Sequence, residues 1–398
     1  MSAAVERGTE LFADWRARSP FYDDTHEAVA QMVRRFVDRE AAPPLIEQWE
    51  LAGEVPAELH RKAGAAGILG MGFPEEYGGT SLGIDIFHHL VKVEELARPG
   101  AGGFMAGLLT HNVALPPVLS LGSSRMKERI APAVIAGQKI MAIAVTEPSG
   151  GSDVARLKTR AELKGDRYIV NGSKIFITNG MRADYYLTAV RTGEAGMKGI
   201  SLLLIEKGMK GFTQTRLRKM GWHSSDTAAL YFDQVEVPAD NLIGPENGGF
   251  VRILENFNSE RLQAAQQCTA YARVCLEEAV AWAKERHTFG KRLGEHPVIR
   301  SKLADMTRQL EATQAWTDLC AWQFIHGKSR PADLALLKVQ ATRMFEFVAR
   351  EAAQVLGGAS FMEGTKTERI YREVRVVAIG GGSEEIMLDL AGRQLGYG

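Results

Sequence analysis

Three long amphipathic stretches, at about 250–287, 297–326 and 331–356, constrain this chain more than any other feature. At a rise of about 1.5 Å per residue such helices reach roughly 40–55 Å. An apolar stripe of that length is buried efficiently only against other helices of similar length, so the C-terminal part is predicted to be an antiparallel helical bundle. A turn region from Gly244 to Gly249 precedes it.

Upstream, the texture is different. Between about Ala142 and Pro238 short runs of Val, Ile, Tyr, Phe and Thr alternate with polar turns, as in Arg167-Tyr168-Ile169-Val170 after Lys164-Gly165-Asp166. Such runs are strands, and the segment is predicted to be a compact β-barrel or sandwich. Gly199 to Ile205 reads as a buried strand, and Ala229 to Val237, ending at Pro238, as one or two more. From Thr25 to Glu40 the apolar residues Val29, Met32, Val33, Phe36 and Val37 fall on one helical face, with Pro43 and Pro44 ending the run. Further helical stretches, such as Ser124 to Ile135, make the first third all helical. The expected α+β organisation is therefore an N-terminal helical domain (1–141), a middle β domain, barrel or sandwich (142–245), and a C-terminal helical bundle (246–398).

Composition narrows the function. Lys plus Arg and Asp plus Glu both number 48, so the electrostatic footprint of a nucleic-acid binder is missing. No apolar run is expected to approach the roughly 18 residues of a membrane span. The three cysteines, Cys268, Cys275 and Cys320, form neither a zinc spacing nor a disulfide framework, and the first fifteen residues do not resemble a leader, so a reducing cytoplasmic location is expected.

The chemistry-bearing segments come in a fixed order. Ala144-Val145-Thr146-Glu147-Pro148-Ser149-Gly150-Gly151-Ser152-Asp153 offers hydroxyl and backbone donors to a planar or anionic ligand. Alone it also reads as a Gly/Ser turn. It is followed by Lys174-Ile175-Phe176-Ile177-Thr178-Asn179-Gly180, by Arg286-His287-Thr288-Phe289-Gly290, and by Gly380-Gly381-Gly382-Ser383-Glu384-Glu385-Ile386. In these ordered motifs the sequence resembles the acyl-CoA dehydrogenases over nearly its whole length, with the running similarity greatest to long-chain and isovaleryl-type members.

The resemblance implies an FAD-dependent oxidoreductase with an N-terminal helical domain, a middle β-barrel and a C-terminal four-helix bundle, in agreement with the organisation read above, assembled as a homotetramer, acting on acyl-CoA thioesters and passing electrons to an electron-transferring flavoprotein. Carried over position by position, it places Val145, Thr146, Phe176 and Thr178 against the flavin, and Ser152 on the pantetheine side of the substrate. It places Arg286 and Phe289 at the FAD of a neighbouring subunit, Gln354, Gly357 and Gly358 at the adenosine portion, and Ser383 and Glu385 near the cofactor. Ser360, Pro297 and Arg156 depart from the family pattern.

Desaturation at Cα–Cβ requires a carboxylate to take the Cα proton. Most members place it at the position of Gly381, which has no side chain. The long-chain and isovaleryl subfamilies place it on the first bundle helix before an Arg, and this chain has Glu260-Arg261 there. The resemblance thus makes Glu260 the base, puts Arg261 on the substrate side, and leaves the Gly381 N–H to hold the thioester oxygen. Alone, Glu260 reads as a first-turn helix Glu favoured by the macrodipole. The expected activity is dehydrogenation in fatty-acid β-oxidation; a branched-chain or isoprenoid acyl-CoA dehydrogenase is the rival enzyme, and a non-catalytic subunit of a heteromeric dehydrogenase the rival from another class.

Other candidates carry less. His88-His89 has no third ligand at a supporting offset, so no metal is expected; Gly67 to Gly72 lacks the context of a dinucleotide loop; the charges of Thr365 to Arg375 read as a solvated helix face.

Overall fold

The structure, a computed structural model, describes residues 11–397, with the side chains at 11–14 and 250–258 outside that description. Most of the leader expectation, resting on the first fifteen residues, falls outside it. The N-terminal helices are α1 (Leu11–Arg18), α2 (Asp24–Glu40), α3 (Pro43–Ala52), α4 (Ala57–Ala65), α5 (Ile86–Ala97), α6 (Gly102–Leu109), α7 (His111–Leu121) and α8 (Ser124–Ile135). In α2 the predicted stripe is the packing face, with Ala30, Val33, Phe36 and Val37 buried. α2 ends at Glu40, just ahead of Pro43 and Pro44 as expected, and the prolines have a second use. They open α3, because proline in a first helical turn forfeits only an N–H that has no intrahelical partner.

The strands are β1 (Met141–Ala144), β2 (Arg160–Lys164), β3 (Arg167–Thr178), β4 (Tyr185–Arg191), β5 (Ile200–Glu206), β6 (Phe212–Arg216), β7 (Thr227–Pro238) and β8 (Leu242–Ile243). They join in one sheet in the order β6-β7-β3-β2-β4-β5-β8, with β1 parallel to β4. The Ala229–Val237 run is one strand. The turn at Gly165 has φ +63, where a residue with a Cβ is disfavoured.

Both faces of β4 and β5 are buried, which explains why their runs are apolar apart from Thr188 and Ser201. Tyr186, Val190, Leu203 and Ile205 share a core with Val170, Leu230 and Val235 of β3 and β7. Leu187, Ala189, Leu202 and Leu204 share another with Leu115, Val118, Ile130 and Val134 of α7 and α8.

The C-terminal elements are α9 (Gly249–Glu285), a hairpin of β9 (His287–Thr288) and β10 (Lys291–Arg292), α10 (Pro297–Ile325), α11 (Pro331–Leu356), α12 (Lys366–Glu373), α13 (Arg375–Ile379) and α14 (Glu384–Gln394). Ala332, Ala335 and Val339 of α11 pack on Met387 and Ala391 of α14.

The chain divides into two compact units. One comprises 1–47, 84–102 and 259–398; the other comprises 48–83 and 103–258. Each is described separately.

Three sequence expectations are corrected here. The stretch Gly102–Leu121 is long and apolar enough to cross a membrane by length and composition. It contains no charged residue, and Ala114, Leu115 and Val118 are fully buried in a core. The charges of α12 are not a solvated face: Glu368, Arg369 and Glu373 are buried. Arg369 bonds the carbonyls of Pro99 and Gly100, Lys366 bonds that of Arg98, and Glu373 accepts the Gly102 N–H at 2.7 Å, so these charges satisfy the polar backbone of a buried turn.

Finally, His88 does have neighbours of ligand type, with candidate ligand atoms of His26, Asp85 and His88 within 4.8 Å of one another. Linear spacing could not show this, because His26 lies on another helix. All three work as helix caps. Asp85 accepts the His88 N–H while His88 Nδ1 accepts that of Asp85, and Asp23 with His26 repeats the arrangement at α2.

Candidate active site

Within the unit that contains the sheet, β1 delivers the chain into the 145–159 loop. A buried ion pair sets the shape of that loop. Glu147 accepts hydrogen bonds from the Lys158 and Thr159 N–H groups at 2.6 and 2.9 Å and from Lys174 Nζ at 2.9 Å. Lys174 also donates to the Val145 carbonyl at 3.0 Å, and the Ile175 N–H donates to the Thr146 carbonyl at 2.9 Å. Burial lowers Lys174 to about 8 against the pull of Glu147. Burial also opposes the charge on Glu147, but Lys174 and the N–H donors more than offset it, and its carboxyl lies below the ordinary range.

Two residues beyond Lys174 on the same strand stands Phe176. The register of β3 against β7 shifts between Lys174 and Ile177, and Phe176 takes φ +62 with 67% of its surface exposed. A left-handed conformation is unfavourable for a bulky residue and concentrates at ligand sites. Thr178 is half-buried at the end of β3, and Ser152 is exposed. The hydroxyls of Thr146, Ser152 and Thr178 make no hydrogen bond among the described residues.

In the other unit, Glu260 and Gly381 come together. Glu260 lies three turns inside α9, and so is not the first-turn residue that the macrodipole would favour. Gly381 lies in the turn between α13 and α14 with φ +66, and a Cβ built on it would stand 3.7 Å from Glu260 Oε1. Burial pushes the Glu260 carboxyl above its ordinary range, with Lys338 and Arg261 pulling the other way. Arg261 is half-buried, and burial lowers it. The Gly381 N–H has no acceptor among the described residues.

The remaining predicted residues are distributed along the same unit. Arg286 is exposed between α9 and the hairpin, and Phe289 at the hairpin tip has φ +50 and 98% of its surface exposed. Gln354, Gly357 and Gly358 are exposed at the end of α11, where Gly357 has φ +62. Ser383 caps α14 by accepting the Ile386 N–H. The backbone N–H of Glu385 and the Ser383 hydroxyl hold the Glu385 carboxyl below its usual range. Of the departures, Ser360 bonds the Gly357 carbonyl at 2.8 Å, Pro297 opens α10, and Arg156 is exposed.

Sequence reasoning missed Lys338. It lies on the buried face of α11, and its Nζ donates to the carbonyls of Gly380, at 2.5 Å, and Gly382. The available signal was a lysine among the apolar positions Leu334, Ala335, Leu337, Val339 and Ala341, all of them buried.

Family models for the acyl-CoA dehydrogenase N-terminal, middle and C-terminal domains match residues 23–138, 142–235 and 247–396. The chain belongs to the acyl-CoA dehydrogenase family. It is 35% identical to the mouse mitochondrial long-chain specific acyl-CoA dehydrogenase, covering 94% of this chain and 87% of that one. It is 33% identical to the mitochondrial isovaleryl-CoA dehydrogenase of Oryza sativa subsp. japonica, covering 95% and 93%. The crystal structure of acyl-CoA dehydrogenase from Geobacillus kaustophilus matches with a TM-score of 0.90 and 35% identity, covering 95% of this chain and 100% of that one.

As an acyl-CoA dehydrogenase, the protein is an FAD-dependent enzyme. Its residues fit the cofactor. Phe176 presents a ring to a flat aromatic group, and the Thr146 and Thr178 hydroxyls are open to a polar ligand. The exposed ring of Phe289 and the guanidinium of Arg286 suit an apolar face and a phosphate respectively.

Proposed function

We propose that the enzyme converts a long-chain acyl-CoA to the trans-2-enoyl-CoA as part of fatty-acid β-oxidation, with Glu260 as the base. The observation that carries Glu260 as the base is the 3.7 Å approach of its Oε1 to a Cβ built on Gly381, within a side chain's reach of the position from which most members of the family present their carboxylate, and the 35% identity to a long-chain specific member supports the straight-chain substrate. Glu260 takes the Cα proton, and the electron pair of that bond becomes the new Cα=Cβ double bond. Bound FAD supplies the acceptor for the Cβ hydride. As the Cα proton leaves, negative charge develops on the thioester oxygen, and the Gly381 N–H is the donor that meets it.

A raised carboxyl pKa suits this task, since a base poised nearer the working pH accepts a proton more readily. Val145, Thr146, Phe176 and Thr178 hold the flavin, Ser152 and Arg261 serve the CoA ester, and Arg286, Phe289, Gln354, Gly357, Gly358, Ser383 and Glu385 complete the cofactor site in a homotetramer. Electrons leave to an electron-transferring flavoprotein, and the enzyme works in the cytoplasm. The 33% identical isovaleryl-CoA dehydrogenase supports a second reading, a branched substrate with the same base.

Straight and branched acyl-CoA esters, scored by anaerobic flavin bleaching, decide between them. Fastest bleaching by straight long chains supports the first reading, and fastest bleaching by short branched esters replaces it with the second. A flavin-loaded protein bleached by none of them would be the non-catalytic subunit.

A further inference from the structure

Lys338 has no part in the reaction described so far, yet its ammonium group reaches both sides of the base site. Its side chain is 3% exposed. Nζ donates to the Gly380 carbonyl at 2.5 Å and to the Gly382 carbonyl, and lies 3.8 Å from a Cβ built on Gly381. An ammonium has three donors and accepts nothing, so two of the three are committed to the glycine turn.

The first of these bonds has a direct geometric consequence. The Gly380 carbonyl and the Gly381 N–H belong to the same peptide plane. In a trans peptide these two groups point in opposite directions, and no cis bond occurs among the described residues. Fixing the Gly380 oxygen on Lys338 therefore fixes the direction of the Gly381 N–H. A cation on the oxygen also polarises the peptide and makes that N–H a stronger donor. The turn has little stiffness of its own, because Gly380, Gly381 and Gly382 follow one another. Helix α11 restrains its far end as well, since Arg343 and Thr342 bond Glu384 at 3.0 and 3.4 Å.

Given that Glu260 is the base, we propose that Lys338 is a positioning residue, which aims the Gly381 N–H at the thioester oxygen and keeps a positive charge beside the Glu260 carboxylate. The same cation thus serves both charges of the reaction, the one on the base before proton transfer and the one on the thioester oxygen after it.

The charged and titratable groups around Lys338 are Glu260, Arg261 and Cys268 on α9 and Glu384 at the start of α14; on α11 itself, Arg343 pairs with Glu384 and Glu346 acts on Cys268. Burial pushes the Cys268 thiol up to about 12, so it stays neutral. Burial lowers Lys338 to about 8, with the carboxylates of Glu260 and Glu384 raising it and Arg261 lowering it further. Below that pH the ammonium carries its charge; above it the neutral amine keeps two donors, but the charge that polarises the Gly380 peptide and favours the Glu260 carboxylate is gone. The rate of flavin reduction therefore has an acid limb from Glu260 and an alkaline limb from Lys338.

The test uses the FAD-loaded enzyme with Lys338→Met and Lys338→Arg. Two measurements are made: single-turnover flavin reduction across pH, and infrared titration of the Glu260 carboxyl without substrate, with Glu260→Gln as the blank. Lys338→Met is expected to lower the limiting reduction rate on the order of 10²-fold, as loss of an oxyanion donor does. Acyl-CoA affinity should change far less. The Glu260 titration should move to higher pH, because a cation favouring the carboxylate has gone. Lys338→Arg should restore most of the rate, leave the carboxyl titration where wild type has it, and remove the alkaline limb.

An unchanged rate and an unchanged carboxyl titration in Lys338→Met would overturn the proposal. So would equal loss of rate in both variants with no carboxyl shift, the mark of a packing role. Should Lys338→Met fail to fold, Lys338→Arg decides alone, since retention of the wild-type alkaline limb contradicts the proposal. Normal reduction in Glu260→Gln would instead remove the assignment of the base, which separates the two failures.

Discussion

Glu260 and Gly381, separated by more than a hundred residues in sequence, face each other in the fold: a Cβ added to Gly381 would stand 3.7 Å from Glu260 Oε1. Either backbone position can therefore deliver a carboxylate to the same small volume. Two carboxylates there would repel, which accounts for glycine at one position when the other carries Glu.

The exchange Glu260→Gly with Gly381→Glu should recover part of the activity lost in Glu260→Gly alone. Recovery will be incomplete, because φ +66 at Gly381 costs a residue with a Cβ roughly 1–2 kcal/mol. Flavin bleaching across acyl-CoA lengths should also show an altered chain preference. No recovery in a folded, flavin-loaded double variant would show that the positions are not interchangeable.

Glu260 should make the protein less stable at neutral pH. Its carboxyl pKa is raised by burial above the usual 4.5, so the native state holds the proton more tightly than the unfolded chain. The associated stability is complete below the unfolded pKa and is lost as pH rises through the folded one. Glu260→Gln should therefore melt higher than wild type at pH 7, with the difference shrinking towards pH 4. A variant melting lower at pH 7 and matching wild type only in acid would contradict the assigned direction.

Lys174→Met should lower the melting temperature sharply, since removing one partner of a buried ion pair costs about 3–5 kcal/mol. Flavin content should fall too, because Lys174 and Glu147 shape the 145–159 loop. Lys174→Met/Glu147→Gln should regain part of the lost stability. Unchanged melting and flavin content in the single variant would show that the pair does not hold the loop.

Much of this fold was legible in the sequence, for reasons that differ by element. Residues Ser124–Ile135 and Pro331–Leu356 stand where periodicity and flanking Gly and Pro put helices, because those signals are local. The charges of α12 were misread, because composition cannot show that Arg369 and Glu373 satisfy the backbone of 99–102. His26 and Asp85 were not seen beside His88, because their proximity is tertiary. In the proposed site, the family resemblance pointed to Glu260 through an adjacent Arg and a glycine at 381, and the structure brings those two positions together. Lys338 was missed because its role lies in the two carbonyls it bonds, and a sequence does not show the direction of a carbonyl.

Arg286→Ala should release FAD and weaken the proposed oligomer together, because its exposed guanidinium is proposed to meet the pyrophosphate of a cofactor held mainly by another subunit. Flavin absorbance and sedimentation after desalting and dilution measure both. A fully flavinated, undissociated variant would make Arg286 an ordinary surface residue.

The most direct test of the central claim is anaerobic mixing of acyl-CoA with flavin-loaded Glu260→Gln, with flavin reduction followed against wild type. Gln fills the same space but cannot take the Cα proton. Reduction should slow by roughly 10²–10⁴-fold or more while FAD and acyl-CoA still bind, and a near-normal rate would show that another group removes the proton.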